Sequence, residues 1–268
     1  MSDLSEKAAL NLARLREKKP LIHGIINAVT INFTANALLA VGASPVMSHA
    51  PSEVEETAEA ADALVLNIGT LSEDRVPSMI RAARKYNRLG KPIVFDPVGA
   101  GATAYRTYTA KRLLQQVRMS VVRGNASELL ALGRGKSRAK GVDAMDGVEE
   151  ALETGKLLSD EFGAVFAVTG SADAVFGGGQ TARVRNGHPL MARITGTGCA
   201  AAAIVAAFAA IDPDFFAAAA TALACFGLAG EIAARSAAGP GSLANSMLDA
   251  LYLMTPEDLL AGCRIELV

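Results

Sequence analysis

From Ala63 to Asp96 the chain reads ALVLNIGTLSEDRVPSMIRAARKYNRLGKPIVFD, a buried strand, an amphipathic helix and a second buried strand in succession. Ala63 to Ile68 is apolar on both faces, as a parallel strand covered on both sides must be. After Leu71, Ser72 is placed to cap a helix, and Glu73 and Asp74 fall in its positive first turn. Val76, Met79, Ile80 and Ala83 then repeat at i, i+3, i+4 and i+7. Gly90 ends the helix and Pro92 opens the strand that closes on Asp96.

The same alternation extends in both directions. Leu21 to Ile26, Ser44 to Ser48, Ser120 to Arg123 and Ala164 to Thr169 read as further short strands between helical patterns. Right-handed crossovers between them predict an α/β fold, a three-layer αβα sandwich with a mostly parallel central sheet. Beyond Thr169 the pattern turns antiparallel: Asp173 to Phe176 and Thr181 to Arg185 are joined by Gly177-Gly178-Gly179-Gln180, and Asn186-Gly187 signals a second hairpin. From Cys199 to Ala238, 19 of 40 residues are alanine, which predicts two closely packed helices, Cys199 to Ile211 and Phe215 to Ser236. Gly239-Pro240-Gly241 separates them from a third, Ser242 to Leu253, and Met1 to Pro20 reads as an amphipathic helix. No repeat or long linker divides the chain, so residues 1–268 are expected to form a single domain.

Composition narrows the partners. The 268 residues are 51% hydrophobic and 20% charged, with 26 Lys plus Arg against 27 Asp plus Glu and a formal net charge of -1. That balance argues against non-specific nucleic-acid binding or a polybasic membrane role. Cys199, Cys225 and Cys263 are odd in number and show no C-x-x-C, which suits a reducing cytoplasm better than a disulfide or zinc scaffold. The N-terminal segment has no apolar signal region, and Asp212-Pro213-Asp214 cuts the apolar run from Cys199 short of a bilayer span.

Chemistry is expected at the carboxyl ends of the strands, where loops and helix N-termini gather. Gly196-Thr197-Gly198-Cys199 opens a long helix of small residues, so several unpaired backbone N–H groups face outward at its positive end and suit an anion, most usefully phosphate. An ordinary turn and cap is the bland alternative. Gly196, Gly198 and Ala201 also satisfy the loose dinucleotide fingerprint, but no acidic strand end follows, and a Walker A sequence is absent. Asp96 ends a buried strand, where an acid calls for solvent, a cation or a helix to cap. Asn125 and Glu128 have capping-box spacing, which explains them without function, whereas Arg123 beside them faces the place a phosphate would take. Thr169-Gly170 suits a phosphate contact, and a helix N-terminus is expected to lower the Cys199 thiol pKa. His23, His49 and His188 lack metal-ligand spacing and read as structural.

At these residues the chain resembles the hydroxyethylthiazole kinase family of the ribokinase-like superfamily. The resemblance is carried by Asn32-Phe33-Thr34-Ala35-Asn36, Gly42-Ala43-Ser44-Pro45-Val46-Met47, Asn67-Ile68-Gly69-Thr70-Leu71, Asp96-Pro97-Val98-Gly99-Ala100, Arg123-Gly124-Asn125-Ala126-Ser127-Glu128 and Gly196-Thr197-Gly198-Cys199. It implies transfer of the γ-phosphoryl of ATP, with Mg2+, to the primary hydroxyl of 4-methyl-5-(2-hydroxyethyl)thiazole. It further implies a homotrimer with sites between neighbouring subunits. Carried over by motif, Asn27, Met47, Gly69 and Gly196 would hold the thiazole, Arg123 and Thr169 the ATP phosphates, and Asp96 and Glu128 the magnesium. Thr197, Gly198 and Cys199 would meet the transferred phosphoryl. A relative acting on hydroxymethylpyrimidine is expected to carry an acid at the Cys199 position, and a non-catalytic binding module would form no ADP. A weak base suits a loose phosphoryl transition state, in which positioning and charge neutralisation dominate.

Overall fold

The computed structural model of the chain describes residues 4–133 and 144–268. Its first half runs α1 (Leu4–Lys18), β1 (Leu21–Ile25), α2 (Ile31–Val41), β2 (Ser44–Met47), α3 (Val54–Ala60), β3 (Ala63–Asn67), α4 (Arg75–Leu89), β4 (Ile93–Asp96), α5 (Ala104–Gln116) and β5 (Val121–Asn125). There follow α6 (Ala126–Leu132), α7 (Ala144–Phe162), β6 (Val165–Thr169), β7 (Asp173–Gly177), β8 (Gln180–Val184), α8 (Thr197–Ala209), α9 (Phe215–Ala234), α10 (Pro240–Leu253), α11 (Pro256–Gly262) and β9 (Ile265–Leu267). Of the expected N-terminal helix, residues 1–3 lie outside the described residues.

The strands form one sheet in the order β2-β1-β3-β4-β5-β6-β7-β8-β9. Pairing is parallel from β2 to β6 and antiparallel from β6 to β9. Because successive side chains leave a strand on opposite faces, β3 feeds two cores. Ala63 and Val65 join the alanines of α8 and α9, while Leu64 and Leu66 join Val76, Met79 and Ile80 of α4. This is the three-layer sandwich that the sequence predicts.

In the β7–β8 hairpin, Gly178 and Gly179 stand at φ +57° and +74°, the left-handed backbone that a two-residue turn between twisted strands demands. The alanine-rich segment folds as α8 and α9. Cys199 through Ala209 are all buried, since methyl side chains let the helix lie close against its neighbours. By length and composition α9 is apolar enough to cross a membrane, but 83% of its apolar window is buried within the protein, which makes it a core helix.

Three local expectations are corrected. Ser72 does not cap α4: the helix starts at Arg75, and the Ser72 carbonyl instead accepts the Arg75 N–H at 3.3 Å in a preceding turn. Asn186-Gly187 is not a hairpin turn. The Asn186 side chain is drawn into the interior, where it donates to the Gly262 carbonyl at 2.9 Å and accepts the Arg264 N–H at 2.8 Å. Those tertiary bonds override the local turn preference. Third, the expected elements end at Leu253, but α11 and β9 follow it, and β9 pairs with β8.

Candidate active site

The strand ends deliver their polar residues to one edge. In the parallel register Asn67 of β3 lies beside Asp96 of β4, and Asn125 of β5 beside Thr169 of β6. Above them stands the first turn of α8. Gly196 caps it at φ +95°, and a Cβ there would lie 2.9 Å from the Thr30 side chain, so both conformation and space require glycine. Helix geometry leaves the N–H groups of this turn without carbonyl partners from the helix itself.

Arg123 lies across the turn. A Cβ on Gly198 would be 2.6 Å from its Nη1. The same guanidinium donates from Nη2 to Thr169 Oγ1 at 2.5 Å, and Nη1 is 3.7 Å from Asp96 Oδ1, near enough for attraction but too far for a hydrogen bond. Arg123 Nε and Asp96 Oδ1 are buried with no hydrogen-bond partner.

Asp96 is fully buried, and its other oxygen, Oδ2, accepts from Asn67 Nδ2 at 2.6 Å. Burial pushes its carboxyl up to about 7, against the pull of Arg123. Glu128 is also buried and carries a capping box: Oε2 accepts the Asn125 N–H at 2.9 Å, while Asn125 Oδ1 accepts the Glu128 N–H at 2.9 Å. Its Oε1 accepts the Gly99 N–H at 2.8 Å, which ties the β4 exit loop to α6.

The Cys199 sulfur, 9% exposed, accepts from Asn27 Nδ2 and from Asn67 Nδ2, each at 3.2 Å. The expected lowering of its thiol pKa is corrected here: burial first, then the nearby Asp96 carboxylate, push the thiol up against the hydrogen bonds from Thr30, Asn67 and Asn27. Asn27 is wholly engaged within the protein. Its Nδ2 also donates to Asn67 Oδ1 at 3.0 Å, and its Oδ1 accepts from both the N–H and the hydroxyl of Thr30 at 3.0 Å. Gly69 packs against this side chain, for a Cβ there would stand 2.6 Å from Asn27 Cβ.

The structure thus gathers Asn27, Gly69, Asp96, Arg123, Thr169, Gly196, Gly198 and Cys199 into one chain of contacts, with Glu128 adjoining through Gly124. Thr197 joins by its backbone, since its hydroxyl donates away from the cluster to the carbonyls of Met191 and Ile194. Met47 sits outside the chain of contacts, on β2, where its sulfur packs against Gly24. His23 accepts its structural reading, with Nε2 at 2.8 Å from the Ser48 carbonyl. Two further residues support the site. Arg106 donates to the carbonyls of Ile68 at 2.6 Å, Val98 at 2.8 Å and Gly69, stapling the exits of β3 and β4 together. Nothing in its helical setting marks it in the sequence. In the sequence Asn67 is marked only as part of the motif Asn67-Ile68-Gly69-Thr70-Leu71, without a role or partners.

Comparison with known proteins shows the family. The model of the hydroxyethylthiazole kinase family matches residues 12–257. A hydroxyethylthiazole kinase from Desulfotalea psychrophila is 55% identical, over 99% of this chain and 97% of its own. The solved structure of a hydroxyethylthiazole kinase protein from Pyrococcus horikoshii is 42% identical and superposes with a TM-score of 0.90, covering 98% of this chain and 99% of that one. A ribokinase-like superfamily protein from Enterococcus faecalis, 14% identical with 94% of each chain covered and a TM-score of 0.66, shares the fold.

Proposed function

The chain belongs to the hydroxyethylthiazole kinase family and is an ATP-dependent kinase that phosphorylates 4-methyl-5-(2-hydroxyethyl)thiazole on its primary hydroxyl in thiamine salvage; we propose that the cluster around α8 is where it does so. The single observation that carries the placement is the open first turn of α8 set against Arg123 and the buried Asp96. Backbone N–H groups of Thr197, Gly198 and Cys199 would receive the transferred phosphoryl, with Arg123 and Thr169 on the ATP phosphates. The bond from the γ-phosphorus to the ADP oxygen breaks as the bond to the thiazole alcohol forms, and the alcohol's proton is released.

The Asp96 Oδ1 atom, buried and without a hydrogen bond, is the kind of oxygen a cation satisfies. Among the described residues no group of three or more His, Cys, Asp or Glu converges, so the donor set suits Mg2+, which binds through one or two carboxylates, waters and phosphate oxygens. Asp96, and Glu128 through water, would hold it. Bound there, the ion neutralises phosphate charge. Cys199 is assigned as a shaping residue: with its thiol pKa raised it stays protonated at neutral pH and offers no thiolate to take the alcohol's proton, and it is held by two amide N–H groups.

Asn27, Gly69 and Gly196 would border the thiazole. Met47 stands on the edge strand β2, which α2 packs against, and Ile31 and Leu39 of α2 and Tyr252 and Leu253 of the neighbouring α10 are exposed. These exposed apolar residues support the homotrimer with sites between subunits, which light scattering tests. One nine-stranded sheet with β2 and β9 at its edges supports a single domain, and three cysteines with no disulfide among them support a reducing, cytoplasmic setting. The deciding experiment is ADP formation across a panel of small alcohols. Thiazole-dependent turnover requiring magnesium is expected, and ADP release indifferent to thiazole overturns the reading.

A further inference from the structure

We infer that Asn67 is a positioning residue that sets the acceptor side of the site against its carboxylate side, an assignment that rests on the kinase reading above. Asn67 is 2% exposed and an amide offers two N–H donors and two acceptor lone pairs. All four are committed. Nδ2 donates to Asp96 Oδ2 at 2.6 Å and to Cys199 Sγ at 3.2 Å. Oδ1 accepts from Asn27 Nδ2 at 3.0 Å and from the Gly69 N–H at 2.9 Å.

These partners belong to four different pieces of backbone: the exit of β1, the exit of β3, the end of β4 and the first turn of α8. The amide can sit only one way round, because reversing it would set an oxygen against the Asp96 carboxylate. By holding Oδ2, Asn67 also fixes the rotamer that leaves Asp96 Oδ1 beside Arg123. One side chain therefore spaces the thiazole border, Asn27 and Gly69, from the carboxylate that faces the phosphates. In phosphoryl transfer the distance between acceptor oxygen and phosphorus governs the rate, and a misplacement of about 1 Å can cost on the order of a hundredfold. Asn67 should therefore govern kcat more than either KM.

The test is steady-state kinetics on Asn67→Ala and Asn67→Asp in the full chain, with calorimetric titration of thiazole and thermal melting beside it. Both variants should lose roughly 30- to 100-fold in kcat, while KM for ATP and Kd for thiazole stay within about fivefold. Asn67→Asp keeps the shape and puts an oxygen against Asp96, so it should lose at least as much as Asn67→Ala, and it carries the test should the alanine variant fail to fold. In a Cys199→Ala background the cost of Asn67→Ala should shrink, since the two residues share a bond. A kcat within about threefold of wild type in a cooperatively melting variant, or a loss confined to KM, overturns the assignment. Wild-type protein without thiazole-dependent turnover would overturn the kinase reading instead.

Discussion

At the amino edge of the sheet, Asn87 and Arg118 exchange two bonds of 2.9 Å, side chain to backbone in each direction, and Lys91 gives its ammonium to the carbonyls of Ala58, Glu59 and Ala61 at the end of α3. At the carboxyl edge, Asn27, Asn67, Asp96 and Cys199 are buried and bonded chiefly to one another, and Asp96 Oδ1 and Arg123 Nε have no partner. A groove of about 540 Å³ opens at the amino edge, lined in part by Asn87, Lys91, Arg118 and Ser159, yet none of its lining residues has a buried polar side-chain atom without a bond. Space alone thus does not mark the site. Where both edges must satisfy strand ends, one does so with backbone carbonyls and the other leaves two buried atoms of charged groups without a hydrogen bond.

The sharpest way to break this contrast is Gly198→Val. The added side chain meets the Arg123 guanidinium at the mouth of the α8 turn, so kcat should fall about a thousandfold or more, comparable with or beyond losing one oxyanion donor. An enzyme of normal kcat would remove the phosphoryl site from this turn.

Next in size is Asp96→Asn, with kcat expected to drop roughly a hundredfold or more in a magnesium-dependent assay. The same variant bears on stability. Burial raises the Asp96 carboxyl from 3.8 to about 7, so between those values the folded protein keeps a proton that the unfolded chain has given up. Stability should therefore decline as pH rises through that window and level off above it. Melting curves without magnesium from pH 4 to 8 should show that decline flattened in Asp96→Asn, and an unchanged slope would assign the titration elsewhere.

Cys199→Ala should cost less than about tenfold in kcat, since positioning and charge outweigh deprotonation in a loose transition state. Cys199→Asp should be tolerated, because two amide N–H groups already face that position. A loss near a thousandfold in the alanine variant would make the thiol the base after all.

Smallest for catalysis is Lys91→Met at the other edge. It should lower stability by about 1–2 kcal/mol in denaturant titration, through three carbonyls at a helix end, and leave kcat untouched. A large loss of turnover would mean that the two edges are coupled.

The strands and most helices were legible because uninterrupted apolar runs such as Ala63 to Leu66 admit few other structures. Asp96, Arg123 and the glycines before Cys199 were legible because a polar or glycine residue at the end of such a run stands out. What could not be read was set by distant partners. Asn186 abandons a hairpin for bonds to Gly262 and Arg264, 76 and 78 residues away. The thiol of Cys199 is raised chiefly by its burial, and burial is a property of the packed chain. Arg106 holds three carbonyls that no local pattern announces. The three-residue β9 is too short and too exposed for periodicity to show.

The placement of α1 bears on how the protein is made. Lys7 pairs with Asp214 across 207 residues, and Arg16 reaches the Leu251 carbonyl across 235. Translation at about 5–20 residues per second leaves this amphipathic segment exposed for roughly 10–50 s before its seat emerges from the ribosome. Its apolar stripe, Ala8, Leu12 and Leu15, therefore stays uncovered until α9 and α11 have been made.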